Sequence, residues 1–212
     1  TVYGFFYQSW KESSARVLGD DSQNDFYNSV YEYLKSFMFS LVLGMTAFMP
    51  LVFHFLINES YYSAIYYVPI LLMATYFANI SGFYGGVFTA YKDTKIMGTT
   101  TVAAAVINLA INVFLIRWLG IYAAALSTFV ANFAVYIYRR IKVRRYIKLN
   151  ENWKRSGVAI VVAAMVFVLF YTERTSCIIF ACGISVVYAI IENFAILRNI
   201  IIQIKKRKNN GR

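Results

Sequence analysis

Few side chains in this 212-residue sequence can do chemistry, and those few lie in or beside long apolar runs. Asn108 and Asn112 stand one helical turn apart, with Thr100 earlier on the same face. Two carboxamides so spaced can hydrogen-bond a polar substrate in a cavity, or can bond between helices. Asn79 and Tyr84 add polar atoms to a neighbouring run, so the four are candidates for lining a substrate cavity. Lys92, Lys95, Arg139 and Arg140 gather at the ends of adjacent runs. They can receive an anionic headgroup such as a pyrophosphate, or serve only to set topology. Glu192 is the one carboxylate inside an apolar run, which makes it a candidate for proton or ion coupling. Arg198, six residues on, can mark the membrane edge and leave Glu192 within reach of water.

Enzymatic chemistry finds little footing. The single histidine, His54, reads as an interfacial side chain. Cys177 and Cys182 are spaced i, i+5 and face different sides of one helix, so they cannot pair with each other there. The sequence has no metal-ligand spacing, no Ser–His pair and no phosphate-cradling glycine loop. The residues imply no cofactor.

The elements that must position these residues are membrane spans. The chain is 59% hydrophobic with a mean hydropathy of +0.54, above the composition usual for a soluble domain. Apolar runs cover 36–57, 66–90, 96–116, 121–138, 157–171 and 177–197, and crossing the hydrocarbon core takes about 20 residues. The run at 157–171 is the shortest and needs Lys154 and Arg155 to snorkel to the interface. The predicted fold is an all-α integral membrane bundle of about six transmembrane helices. Residues 1–35 read as a helix end and a polar connection, 36–204 as the bundle, and 205–212 as a basic tail.

Charge orients the bundle. Taking alternate segments between the runs, nineteen of the 21 Lys and Arg residues fall on one side. That side is the cytoplasmic one by the positive-inside rule, so the C-terminus reads as cytoplasmic. The net charge of +11 is thereby accounted for by topology and anionic lipid headgroups, and no nucleic-acid partner is implied. Thr1–Phe6 reads as the tail of a truncated transmembrane helix, so the chain reads as the C-terminal part of a longer membrane protein.

Other signals concern packing. Ala78, Gly82, Gly86 and Ala90 recur every four residues, a spacing that lets helix backbones approach closely in lipid. Ala124, Thr128 and Ala131 share a face in the fourth run, beside Ser127. Pro50 is expected to kink the first run. Asp21 or Ser22 can cap a helix that runs from there into the membrane.

Four motifs, in order, resemble the C-terminal half of bacterial polysaccharide and O-antigen flippases. These belong to the multidrug/oligosaccharidyl-lipid/polysaccharide exporter superfamily. The motifs are Gln8-Ser9-Trp10-Lys11-Glu12-Ser13, Tyr66-Tyr67-Val68-Pro69-Ile70-Leu71, the segment Phe83–Lys95, and Ala104–Asn112 followed by Gly120–Ala125. The resemblance is concentrated in Tyr61–Lys148. The chain departs from the family pattern at Arg117-Trp118-Leu119, where a proline turn is usual, and at Ala123, where glycine is usual. The resemblance implies the second bundle of a two-bundle flippase in the bacterial inner membrane. Its substrate would be undecaprenyl-pyrophosphate-linked oligosaccharide, moved by alternating access for O-antigen, capsule or exopolysaccharide assembly. Implied partners are the lipid-linked oligosaccharide, membrane lipids and other polysaccharide-assembly proteins. A chain lacking the first bundle is expected not to transport alone. Competing expectations are a drug/cation antiporter of the same superfamily, a membrane enzyme of polysaccharide assembly, and a non-catalytic membrane subunit or fragment.

Overall fold

The computed structural model describes residues 2–210, with side chains described from Tyr3 to Phe194 and at Arg198. Thr1 and the side chains of the basic tail at 205–212 lie outside the described residues. The described residues form seven α-helices: α1 (Val2–Arg16), α2 (Gln23–Leu56), α3 (Val68–Ala90), α4 (Lys95–Leu119), α5 (Ile121–Val143), α6 (Trp153–Tyr171) and α7 (Thr175–Asn210). A 3-10 helix, Glu59–Tyr67, joins α2 to α3. Six helices are long and apolar enough to cross a membrane, and no strand occurs among the described residues. The chain is an all-α, multi-pass membrane bundle.

Local chemistry sets the helix ends. α2 begins after Ser22, carries Asp25 in its first turn, and runs for 34 residues through Pro50. At 1.5 Å per residue it measures about 51 Å, so it extends well beyond a hydrocarbon core of about 30 Å. Asn58 caps the 3-10 helix by accepting from Ser60 N at 3.0 Å. Gly120 separates α4 from α5 at φ 53°, ψ −130°, a conformation only glycine adopts cheaply.

The shortest run is longer than its apolar residues suggest. The Asn152 side chain accepts from Arg155 N at 3.2 Å, so α6 starts at Trp153 and gains a full turn before Gly157. Its 19 residues cover about 28 Å. Arg155 does not snorkel outward from that turn; it points inward, into ion pairs with Glu32 and Glu192.

Packing follows the small residues. α1 lies on α3, with Tyr3 over Gly82 and Trp10 over Gly86. α5 packs against both α3 and α4, while α2 packs against α3, α6 and α7. The main core sits where α1, α2 and α3 meet, around Trp10, Tyr27, Tyr31, Phe83 and Tyr84. α4 presents an exposed apolar face of Val102, Val106, Leu109, Val113 and Ile116, as a helix facing lipid tails would.

Candidate functional site

A cavity of about 560 Å³ opens between the α3–α5 pair and the α2, α6, α7 group. Its walls are aromatic and apolar: Phe39 from α2, Tyr76 and Phe77 from α3, Phe133 and Tyr136 from α5, Ala163 and Phe167 from α6, Tyr188 from α7. The rings are locked edge to face. Phe77 meets Phe133 at 4.9 Å, and Phe39 meets Tyr76 at 5.3 Å and Tyr188 at 6.0 Å. Such contacts hold rotamers firmly and give the cavity a fixed shape.

Glu32, Lys35, Arg140, Glu151, Arg155 and Glu192 also line the cavity. Arg140 lies in the last turn of α5, Arg155 in the first turn of α6 and Glu151 in the connection between them, while Glu32 and Lys35 come from the first half of α2 and Glu192 from midway along α7. Arg140 pairs with Glu151 at 2.6 Å. Arg155 is shared: it reaches Glu32 at 3.6 Å, bonds Glu192 through Nε, and donates to Ser36 Oγ and the Glu192 carbonyl, each at 2.8 Å. Lys35 donates to Ser156 Oγ at 3.1 Å and stands 3.8 Å from Glu32. Three carboxylates therefore balance three cations.

The connection carrying Glu151 is clamped onto α2. Asn28 donates to the Lys148 carbonyl at 2.8 Å and accepts from Asn150 N at 2.7 Å. Tyr31, fully buried on α2, donates to Glu151 Oε1 at 3.0 Å. Glu151 is thus a positioned carboxylate, in contrast with a freely rotating loop residue. Beyond α5, the Tyr146 hydroxyl donates to Asp93 at 2.5 Å. That bond is the main reason its phenol is raised above the usual range, with desolvation adding to it.

The residues singled out in the sequence scatter over several environments. Arg140 and Glu192 line the cavity. The Glu192 side chain is held by Arg155 and lies beside Ser36. Tyr84 lies behind the cavity wall, stacked on Tyr136 at 6.0 Å and hydrogen-bonded to Tyr31 at 3.3 Å. Asn79 accepts from Tyr3 through its carbonyl and donates to Met38 Sδ. Asn108 bridges to α5, donating to Thr128 at 3.1 Å and accepting from Ser127 at 3.5 Å. Asn112 is half-buried one turn on, with its Oδ1 unpartnered among the described residues. Lys92 and Lys95 are exposed.

Arg139 is buried at 8% exposure and points away from the cavity lined by its neighbour. It donates to Thr100 Oγ1 at 2.9 and 2.7 Å, to the Ser81 carbonyl at 3.2 Å and to the Met97 carbonyl at 3.4 Å. It fastens α3, α4 and α5 together. His54 is exposed beside Phe55, and both cysteines are free.

Sequence reasoning missed Glu32, Lys35, Glu151 and Arg155. Lys35 and Arg155 read there as part of the topology-setting charge, and Glu32 and Glu151 carried no reading. Their signal was the acidic residues interspersed among basic ones: Glu32 three residues before Lys35, and Glu151 four before Arg155.

A second cavity, an apolar groove of about 630 Å³ between α6 and α7, shares Tyr188 and Glu192 with the first. Chemically, the two together offer an amphiphile a greasy surface that leads to a charged, hydrogen-bonding end. No protein-family model, curated protein or solved structure matches this chain.

Proposed function

We propose that this chain belongs to a membrane flippase that moves a lipid-linked oligosaccharide across the bacterial inner membrane, with its C-terminus cytoplasmic. One observation carries the reading. A cavity within a membrane bundle joins aromatic walls to a cluster of ionised groups on the basic side. A polyprenyl-pyrophosphate glycan has the matching parts: an apolar tail, an anionic head and hydroxyl-rich sugars. The order of sequence motifs across Tyr61–Lys148 favours the same assignment. The α6–α7 groove gives the tail a path that meets the cavity at Tyr188 and Glu192. Arg140 and Arg155 are the cations in place to meet the head.

The antiporter reading needs a carboxylate free to take a proton or a cation. Glu192 is engaged by Arg155, which weighs against it. The test is a strain lacking the gene that encodes this chain, scored for the leaflet that holds its lipid-linked oligosaccharide. Accumulation on the cytoplasmic face with loss of surface polysaccharide is the expected result. Normal flipping with altered drug sensitivity would overturn the reading in favour of the antiporter.

A further inference from the structure

Arg140 and Arg155 meet the cavity in different ways. Arg155 is divided between Glu32, Glu192 and Ser36, so it is the shared counter-ion of two carboxylates. Withdrawing it would leave both without a cation, a large cost in a partly desolvated cluster. Arg140 has one carboxylate partner, Glu151. Its guanidinium also stands 5.8 Å from the centre of the Trp153 ring, and Trp153, at 71% exposure, opens to the outside of the bundle. Of the two arginines, Arg140 is therefore the one with fewer carboxylate partners to give up.

Glu151 is built to stay where it is. Tyr31 bonds the same oxygen that Arg140 contacts, and the Asn28 clamp fixes the backbone just before it. A carboxylate and a phosphate oxygen present the same acceptor geometry to a guanidinium. We infer that Glu151 is an internal counter-ion that holds Arg140 in the place of a pyrophosphate, so that an anionic headgroup binds by drawing Arg140 away from it. This inference rests on reading the cavity as a headgroup site, and names the pair of residues that sets its affinity. It accounts for a cluster in which the charges balance, where a plain anion trap would carry excess positive charge. A resident carboxylate weakens binding of the anion and thereby favours its release.

The test is a titration of the purified full chain in detergent with two probes, farnesyl pyrophosphate and inorganic pyrophosphate. Glu151→Gln keeps an acceptor for Tyr31 but removes the competing charge. It is expected to bind farnesyl pyrophosphate about tenfold more tightly than the wild type. Arg140→Gln added to Glu151→Gln should abolish that gain, and Arg140→Gln alone should bind more weakly than the wild type. Glu151→Asp should give a smaller gain in the same direction, and reads the effect if the glutamine variant does not fold. Wild-type binding that Glu151→Gln leaves unchanged or weakens would overturn the inference while leaving the headgroup site standing. An equal gain for inorganic pyrophosphate would uphold the counter-ion and place a free anion, not a lipid, on Arg140. Absence of binding by wild type and all variants, with either probe, would overturn both the inference and the headgroup site.

Discussion

The Trp10 indole lies across Gly86 and donates its Nε1–H to the Phe83 carbonyl at 2.9 Å. The ring also stacks on Phe83 at 4.5 Å and meets Tyr27 edge to face at 5.5 Å. α1 is therefore seated on α3 by a rigid aromatic plate that needs a residue without a Cβ beneath it. The stripe of small residues in α3 accommodates large side chains from α1, so that the two backbones meet through rings.

Gly86→Ala should accordingly destabilise the bundle by about 1–3 kcal/mol, because the indole is boxed in and cannot yield. Gly82→Ala should cost less. There the overlapping atom is the hydroxyl end of Tyr3, a side chain that can swing away. Thermal unfolding in detergent checks the pair, and equal losses at both positions would contradict the seating described.

Arg139→Gln should be strongly destabilising even though it removes a charge from a low-dielectric site. The guanidinium alone bridges three helices, with bonds to Thr100, Ser81 and Met97. Bonds from a charged donor contribute about 1.5–3 kcal/mol each, offset by the desolvation of the ion. A net loss of about 2–3 kcal/mol in unfolding measurements is expected. Arg139→Lys should restore little of it, since an ammonium lacks the planar fork that reaches both α3 and α4 from α5.

Neighbouring residues Arg139 and Arg140 illustrate how much was legible. Six spans, their order and the side carrying the charge follow from hydrophobic run lengths and Lys/Arg placement. Those are properties of each segment alone. Which way a given arginine turns is not such a property. Consecutive residues on a helix point about 100° apart, so one enters the α3–α4–α5 junction and the other enters the cavity. The cap at Asn152 likewise extended α6 beyond its apolar run, through one side-chain bond that hydropathy does not register. Glu32, Glu151 and Glu192 come together across sequence separations that no periodicity encodes.

The Tyr146–Asp93 bond ties the α3–α4 connection to the segment after α5, and it predicts a pH limit on the basic side. Tyr146 has a phenol pKa raised in the folded state. Its contribution is therefore fully present below the unfolded value of about 10 and is lost as pH rises through the folded one. Tyr146→Phe should flatten the alkaline limb of the stability profile and leave the profile near pH 7 parallel to that of the wild type. A wild-type alkaline limb that persists in the variant would assign the effect to another group.

Asn108 and Thr128 form an uncharged polar link between α4 and α5, at 3.1 Å, with Ser127 as a second partner. Interhelical hydrogen bonds in membranes average only about 0.6 kcal/mol, because the separated helices also find partners. A double-mutant cycle on Asn108→Ala and Thr128→Ala should therefore return a coupling of about that size. The same substitutions separate a packing role from a substrate role. If Asn108 only joins helices, the proposed transport should fall no further than the stability does. A loss of transport at unchanged stability would make Asn108 a contact for the substrate, and would extend the site from the main cavity to the α4–α5 seam.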